Sequence, residues 1–389
     1  MVSLQSAHRE QALPRFDDAH RWTFDLALPY WAEHGVDREW GGFVEHLGLD
    51  GRDGQASFKR VRAQARQIYV FAHAALLGWA PGRALAEHGW SFLHRHGRRA
   101  DGAWVRRMGR QGGVVDPTCD AYDMAFVLFA HAWMFRLGGD DRILQSALDT
   151  VAALDEFLAH PGGLGWLAFE GCAGAREQNP HMHLIEAAIE LAAATGHERF
   201  LELAGRINDL FHRRLFDRDA GLLREFFSED WSGPDAERGN IVEPGHMLEW
   251  SWILRRAEGL VGLDVADTPA ILYDRALALG EIASTGLIVD QVDPNGRVLA
   301  GGFRSWPQTE ALKAHLVAFE AGDDAALDRA KRSLDNLLDR YLHCGPKGCW
   351  IDQLDRNLTP SIDKIPSTTF YHLFLAFSEL ERVRPIAFR

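Results

Sequence analysis

The sequence lacks the long apolar run that a membrane-spanning helix needs. No stretch of about 18 consecutive apolar residues occurs in the chain of 389 residues. The first residues, Met1 to Pro14, are polar and contain no apolar core of a secretion signal. We therefore expect a soluble, cytoplasmic protein.

Cysteine and positive charge are also scarce. The four cysteines, Cys119, Cys172, Cys344 and Cys349, show no Cys-x-x-Cys spacing, which is typical of reduced thiols rather than of a disulfide framework. Lys and Arg number 42 against 55 Asp and Glu, a net charge of −13. This balance argues against nucleic-acid and membrane partners, because both present negative charge. We expect a small-molecule ligand and a monomer or homodimer.

Prolines mark a repeat. Each of five prolines precedes an apolar run of helical period, and proline is favoured at the first helical position. They are Pro117, Pro180, Pro244, Pro307 and Pro366, separated by 63, 64, 63 and 59 residues. Asp116 and Asn179 are expected to be N-caps of two of these helices.

The repeat extends to the whole chain as twelve helices and six Gly- and Asp-rich segments typical of β-hairpins. The helices are predicted at 14–34, 58–78, 82–97, 117–138, 140–160, 180–195, 197–215, 244–262, 266–284, 307–321, 323–342 and 366–382. The hairpins are predicted at 40–53, 101–115, 162–174, 217–231, 286–302 and 345–361. Even-numbered helices are richer in apolar residues and odd-numbered ones in charge, which predicts an inner and an outer ring. The expected fold is all-α, an (α/α)6 barrel forming one domain over residues 1–389.

Parallel inner helices would open all their N-termini at one mouth. Polar residues one or two turns inside these starts should then converge; they are His183, His246, Glu249, Gln308, Glu310 and His372. Glu249 follows His246 by three residues, so it is expected to hold that imidazole or a sugar hydroxyl. His181 and His183 lack the carboxylate or cysteine spacing of a metal site, and no metal is expected.

Two histidines in one enclosed cavity, His246 and His372, suit proton transfer at a carbon next to a carbonyl, because imidazole is acid or base near neutral pH. Facing histidines would give epimerisation. One histidine that returns the proton to the neighbouring carbon would give aldose–ketose isomerisation. Glycoside hydrolysis by Glu249 and Glu310 is a competing interpretation, and so is sugar binding without turnover.

Six motifs occur in an order and spacing known from one family. They are Trp40-Gly41-Gly42-Phe43, Gln64-Ala65-Arg66-Gln67, Asn179-x-x-x-His183-x-x-Glu186, Pro244-Gly245-His246-x-x-Glu249-Trp250, Trp306-Pro307-Gln308-Thr309-Glu310 and Tyr371-His372. Over nearly its whole length the chain resembles the N-acylglucosamine 2-epimerase superfamily, which includes cellobiose 2-epimerases and mannose-type aldose–ketose isomerases.

The resemblance implies an (α/α)6 barrel, a catalytic pair formed by His246 and His372, and proton transfer through a cis-enediolate without metal or cofactor. It implies sugar-binding roles for Arg66, Tyr122, Asn179, His183, Arg238, Glu249, Trp306 and Glu310.

Two motifs indicate which branch of this family the chain resembles. The Pro-Gly-His-x-x-Glu-Trp motif looks like the mannose isomerase branch, so the expected reaction interconverts D-mannose and D-fructose. Residues 364–372 look like proteins labelled mannose-6-phosphate isomerase, and Arg304 and Lys364 are candidate phosphate ligands. That activity and a 2-epimerase of the N-acylglucosamine, mannose/glucose or cellobiose type remain alternatives.

Overall fold

The computed structural model of the protein describes residues 14–343 and 346–387. These residues form twelve helices, which we label α1 to α12 in chain order. The helices are α1 14–34, α2 Val61–Leu76, α3 Gly82–His96, α4 Ala121–Gly138, α5 Asp141–Leu158, α6 Asn179–Thr195, α7 Glu198–Leu210, α8 Pro244–Val261, α9 Thr268–Gly280, α10 Ser305–Glu320, α11 Asp324–Asn336 and α12 Phe370–Ala387. π-helical turns lie within α1 and extend α7 and α11; they are Trp22–Ala27, Phe211–Leu215 and Leu337–Leu342.

The even-numbered helices form a closed inner ring. Each packs against the next, from α2 through α4, α6, α8 and α10 to α12, and α12 packs against α2. Tyr69 of α2 shows this closure, because its ring contacts Phe129 of α4 at 4.7 Å and Tyr371 of α12 at 5.5 Å between centroids. The odd-numbered helices α3 to α11 each pack outside the even-numbered helix that precedes them. The predicted (α/α)6 barrel is confirmed.

Residue patterns explain the two rings. Helix α4 carries apolar residues on all sides and is buried over nearly its whole length, as an inner helix requires. Helix α7 buries one stripe, which consists of Phe200, Leu203, Ala204, Ile207 and Leu210. These positions recur at three- and four-residue steps, the pattern of a helix with one face on the core.

Short strands join the helices at the mouth where the inner helices begin. They are β1 His46–Leu47, β2 Phe58–Arg60, β3 Arg107–Gly109, β4 Val114–Asp116, β5 Arg176–Glu177, β6 Phe216–Asp217, β7 Leu222–Leu223, β8 Phe226–Phe227, β9 Glu281–Ile282, β10 Leu287–Ile288, β11 Gln291–Val292, β12 Val298–Ala300, β13 Phe303–Arg304, β14 Gln353–Leu354 and β15 Ile365–Pro366.

The pairing of these strands differs in part from the predicted hairpins. β3–β4, β6–β7, β9–β10 and β11–β12 are local hairpins. β1 pairs with β15, β2 with β3, β5 with β8 and β13 with β14, so these strands connect different segments of the chain. A two-residue strand cannot pair its own backbone N–H and C=O groups with each other. Neighbouring segments at the same mouth supply the hydrogen-bond partners. The predicted 345–361 hairpin begins outside the described residues.

Three helix starts also differ from the prediction. Asp120, not Asp116, caps α4, where its side chain accepts a hydrogen bond from the Asp123 N–H at 3.1 Å. Asn179 is the first residue of α6 and its side chain caps nothing. Pro366 belongs to β15 and precedes a 3₁₀ turn, Ser367–Thr369. Pro117 lies in the loop between β4 and α4, Pro180 is the second residue of α6 and Pro366 lies in β15, so the prolines do not mark these helix starts at one fixed position.

A buried ion pair ties the first two connections together. Lys59 Nζ of β2 lies 3.0 Å from the Asp37 carboxylate in the loop after α1, and both side chains are buried. The ammonium also donates to the Gly41 carbonyl and lies over the Phe92 ring.

The expectations of no membrane span and of reduced cysteines can be compared with the structure. Among the described residues, no helix combines the length and the hydropathy of a membrane span. Cys119, Cys172 and Cys349 are free thiols. Cys344 and the residues before Pro14 lie outside the described part of the chain.

Candidate active site

A cavity of about 460 Å³ opens at the mouth where the inner helices begin. Its walls come from α2, α4, α6, the segments before them and the 3₁₀ turn before α12. The lining residues are Arg60, Arg62, Arg66, Arg106, Asp120, Tyr122, Ala168, Phe169, Glu177, Asn179, Pro180 and Thr368. Four arginines therefore face one cavity in a chain whose net charge is −13.

Arg66 differs from the other three arginines of this cavity. Arg60 pairs with Glu45, and Arg106 pairs with Asp120 at 2.7 Å. Arg62 lies 3.4 Å from Asp123.

Arg66 instead donates to the Tyr122 hydroxyl at 2.7 Å and to the Thr368 carbonyl at 3.2 Å. Its guanidinium lies 3.9 Å from the centroid of the Phe126 ring. Within the described residues no carboxylate pairs with it, so its charge is directed to the cavity.

Asn179 is the second polar group aimed at this space. It lines the cavity, and its Oδ1 atom is buried with no hydrogen-bond partner among the described residues. An unpaired buried amide oxygen costs about 1–3 kcal/mol. A ligand hydroxyl that donates to it would remove that cost.

His246, in the first turn of α8, is held by an acidic group from a distant segment. Its Nδ1 donates to Glu225 Oε2 at 2.9 Å, and Glu243 Oε2 lies 3.6 Å from the same nitrogen. Gln178 Nε2 donates to Glu225 at 2.9 Å and so fixes the carboxylate. Burial opposes the charged imidazole, but Glu225 and Glu243 outweigh it and raise the pKa of His246 to about 9.

His372, in the first turn of α12, has the opposite ionisation. Its Nδ1 donates to Glu310 Oε1 at 2.8 Å. Burial, together with the charges of Arg66 and Lys313, lowers the pKa of His372 to about 3 despite the attraction of Glu310. At neutral pH one imidazole is therefore protonated and the other neutral.

The Trp306 ring connects the two histidines. Its centroid lies 4.7 Å from that of His246 and 5.9 Å from that of His372. Gly245 permits this position, because a Cβ there would lie 2.8 Å from the Trp306 ring. Each Nδ1 is occupied by a carboxylate, so Nε2 is the nitrogen of each ring left for a ligand. The pair can accept a proton at one position and donate a proton at another.

A second cluster lies deeper, between α6, α8 and α12. His183 Nδ1 donates to Glu186 Oε2 at 3.1 Å, and the Tyr371 hydroxyl donates to the same carboxylate at 2.6 Å. Burial raises the pKa of Glu186 to about 6. Glu249 lies 4.0 Å from His183 Nδ1 and is buried without a hydrogen-bond partner among the described residues.

The expectation that Glu249 holds the His246 imidazole is wrong. Glu225 occupies Nδ1 of that ring, whereas Glu249 points towards His183 and Glu310. Burial and the neighbouring Glu310 raise the pKa of Glu249 well above its ordinary value, which favours the protonated form of this carboxyl group.

Other predicted residues are placed as follows. Gln308 does not join the convergent set, because its amide bonds both backbone groups of Ile288 at 2.9 Å. Arg238 is exposed on the loop before α8, 4.0 Å from the Phe226 ring, and does not line the cavity.

The two candidate phosphate ligands are already paired. Arg304 bonds Glu243 at 3.2 Å and Asp290 at 3.1 Å. Lys364 lies 3.4 Å from Asp363 on the surface. Their positive charges are thus largely neutralised within the protein.

In the described part of the chain, two sets of three side chains each bring possible metal-ligand atoms within 4.8 Å of one another. The sets are His183, Glu186 and Glu249, and Glu249, Glu310 and His372. The Lys313 ammonium already contacts this acidic region, 2.6 Å from Glu310 Oε2. A fixed positive charge therefore already balances these carboxylates, and we assign no metal to them.

Sequence reasoning missed four residues that shape the site: Gln178, Glu225, Glu243 and Lys313. Glu243 and Lys313 each lie three residues from a predicted site residue, so helical spacing was a usable signal for both. Gln178 and Glu225 lie in short connecting segments, and no local pattern distinguishes them.

The fold and its relatives define the class of protein. The structure superposes on cellobiose 2-epimerase from Bacillus thermoamylovorans B4167 with a TM-score of 0.85, at 19% identity over 95% of this chain and 99% of that one. This likeness shows the fold. The family and the sequence relatives given next show that the chain is an isomerase or epimerase that acts on carbohydrates.

The sequence comparisons give the family. The chain is 31% identical to mannose-6-phosphate isomerase of Rhizobium meliloti (strain 1021), over 92% of this chain and 95% of the relative. It is 29% identical to D-mannose isomerase of Thermobifida fusca, over 76% of this chain and 77% of the relative. The family pattern of N-acylglucosamine 2-epimerase (GlcNAc 2-epimerase) matches residues 41–376, and the chain belongs to that family.

Proposed function

We propose that this barrel is one catalytic domain that interconverts a mannose-type aldose and its ketose, D-mannose and D-fructose in the simplest case. The observation that carries this proposal is the pair His246 and His372. Each ring is anchored through Nδ1 by a buried carboxylate, and the two rings differ in ionisation and flank Trp306.

In the proposed reaction His372 is the base. Its neutral Nε2 removes the proton from C2 of the open-chain aldose. The electron pair of that C–H bond forms a C1=C2 double bond, and the carbonyl π pair moves to the oxygen at C1, which gives an enediolate. Return of the proton from His372 to C1, with transfer of the O2 hydroxyl proton to the His246 nitrogen that protonated O1, gives the ketose. Glu310 keeps the N–H of His372 on Nδ1, so that the lone pair of Nε2 faces the substrate.

His246 is the proposed acid. Its protonated ring donates from Nε2 to the sugar oxygen that becomes negative, and Glu225 stabilises this imidazolium. Arg66, Tyr122 and Asn179 are proposed to bind the sugar hydroxyls. His183, Glu249, Trp306 and Glu310 are proposed to complete its binding site, whereas Arg238 would contribute only at the rim.

The names of two relatives support the choice of mannose, since one is a D-mannose isomerase and one a mannose-6-phosphate isomerase. Incubation with D-mannose in D₂O separates isomerisation from 2-epimerisation. Fructose labelled at C1 is the expected product. Glucose labelled at C2 would show that the second histidine returns the proton to the other face, and unlabelled mannose alone would exclude both reactions for this sugar.

The roles of the two histidines are tested by His246→Asn and His372→Asn. We expect each to lower kcat by at least about a hundredfold, as is typical for loss of a positioned acid or base. Circular dichroism should show unchanged helix content. Turnover near the wild-type level in both variants would remove the proposed mechanism, and retained sugar binding without wild-type turnover would favour a binding protein.

A phosphorylated sugar is the second candidate substrate, and the arginine-lined cavity favours it. Arg66 has no carboxylate partner within the described residues, and three further arginines face the same space. For a phosphorylated substrate, kcat/KM for D-mannose 6-phosphate would exceed kcat/KM for D-mannose. Arg62→Gln should reduce that preference, and an equal kcat/KM for both sugars would assign the enzyme to free hexoses.

Glycoside hydrolysis fits the geometry poorly. Carboxylate oxygens of Glu249 and Glu310 lie within 4.8 Å, whereas hydrolases hold their pair about 5–5.5 or 6.5–9.5 Å apart. Glu310 is also occupied by His372 and Lys313. Glu310 is then not free to act on a glycosidic bond.

A further inference from the structure

Lys313 is a fully buried lysine in the inner ring. It lies on α10, one turn after Glu310, and its side chain has no exposed surface. Its Nζ is 2.6 Å from Glu310 Oε2 and 3.8 Å from the centroid of the Trp252 ring on α8. An unpaired ammonium in such a place would cost several kcal/mol, so its position requires a compensating negative charge.

Three buried carboxylates surround this ammonium. Glu310 is in direct contact, and the charges of Glu249 and Glu186 also raise the pKa of Lys313 against the effect of burial. In return Lys313 helps to lower the pKa of Glu310, although burial alone would raise it. The lysine thus contributes a fixed positive charge to a cluster of buried carboxylates.

Glu310 connects Lys313 to His372, the proposed base. Glu310 uses Oε2 for Lys313 and Oε1 for Nδ1 of His372, at 2.8 Å. An ionised Glu310 only accepts hydrogen bonds, so it fixes the imidazole N–H on Nδ1. A protonated Glu310 would instead donate to Nδ1 and move the N–H to Nε2, where no lone pair would remain for the substrate.

We propose that Lys313 is a positioning residue that keeps Glu310 ionised and thereby holds His372 in the tautomer whose Nε2 accepts the substrate proton. This inference rests on the proposed role of His372 as base. Lys313 itself does not contact the reacting atoms.

Several charged or titratable groups face this relay. They are Arg66 from α2, His183 and Glu186 from α6, His246 and Glu249 from α8, and Tyr371 with His372 from α12. Removal of the Lys313 charge takes away the cation that contacts Glu310 and stabilises its ionised form. Glu310 then binds a proton at higher pH, and activity should be lost from the acid side.

The direct test is Lys313→Met, with Lys313→Gln as a second variant that removes the charge but keeps a polar group. We expect kcat to fall at least about tenfold at pH 6 and to recover partly at pH 9, while KM changes less than about threefold. Lys313→Arg should restore most of the rate at pH 6. Lys331→Met on α11 removes the same charge from a lysine that pairs with Asp335 away from the relay, and it should not alter the profile.

A double-variant cycle separates this role from a merely structural one. Glu310→Gln and Lys313→Met act on the same carboxylate, so their losses in kcat should not multiply in the double variant. If the two losses in kcat multiply in the double variant, the proposal is overturned. It is also overturned if Lys313→Met lowers kcat equally at every pH and leaves the acid limb of the pH profile in place.

Nitrogen NMR of the wild-type imidazoles needs neither turnover nor a stable variant. We expect His372 to carry its proton on Nδ1 from pH 6 to 9, and Lys313 to remain an ammonium over the same range. A proton on Nε2 of His372, or a neutral Lys313, would refute the inference. Absence of turnover on every aldose would count against the proposed function but not against the role of Lys313. The NMR result would still show which nitrogen of His372 carries the proton.

Discussion

Removal of the Glu225 charge should move the alkaline limb of the activity profile. Glu225 is buried, accepts from His246 Nδ1 at 2.9 Å, and together with Glu243 raises the pKa of His246 from 6.5 to about 9. The variant Glu225→Gln keeps the shape and polarity of the side chain but removes its charge. His246 would then lose the nearest of its two acidic neighbours.

The magnitude follows from the strength of that contact. A hydrogen bond to a charged group contributes about 1.5–3 kcal/mol, and about 1.4 kcal/mol corresponds to one pH unit. The limb should therefore move down by about 1 to 2 pH units. His246 acts in its protonated form, which exists below its pKa, so the loss appears from the alkaline side. Turnover should fall about 5- to 50-fold at pH 9 and little at pH 6.

The assay is kcat/KM for ketose formation from pH 6 to 10, which reports the ionisations of the free enzyme. Glu237→Gln is the matched control, because Glu237 is exposed on the loop before α8 and loses the same charge. An alkaline limb that stays in place in Glu225→Gln, whatever the loss of rate, would refute the view that Glu225 sets the charge of His246.

Three further predictions follow from close contacts. Gly245→Ala places a methyl group 2.8 Å from Trp306 and should cost about 1–3 kcal/mol of stability and part of the activity. Gly259→Ala on the same helix is the control, because its new methyl group meets no atom within 4 Å. It should leave the thermal midpoint of unfolding equal or higher. An equal loss of stability in Gly245→Ala and Gly259→Ala would contradict the packing explanation. Asn179→Ala should lower kcat/KM about 5- to 30-fold, chiefly through KM, since its unpaired Oδ1 lines the cavity; an unchanged KM would remove it from the site. Lys59→Met should lower the free energy of unfolding in urea by about 1–3 kcal/mol, because the buried Asp37 carboxylate then keeps only Arg110, at 3.1 Å, as an ion-pair partner.

Much of the fold could be predicted from local patterns. Apolar periodicity and the regular prolines indicated twelve helices, and the apolar contrast between alternate helices indicated two rings. These signals are local, because each helix carries its own buried face wherever it packs. Helix starts were less accurate. Asp116 is paired with Arg107 across β3 and β4 instead of capping α4, and Asn179 follows β5, whose partner β8 comes from a later segment of the chain.

The sequence by itself determined which helices open at the mouth of the barrel and indicated several of the residues at their starts. His246, Glu310 and His372 lie at matching depths of inner helices, and helical spacing alone predicts their convergence. Only the tertiary structure decided which carboxylate holds which imidazole. Glu225 reaches His246 from a segment 21 residues earlier, and Glu310 reaches His372 across 62 residues. The tertiary structure also decided that one histidine is charged and the other neutral. Ionisation depends on burial and on the summed field of neighbouring charges, and both exist only once the ring of helices has closed.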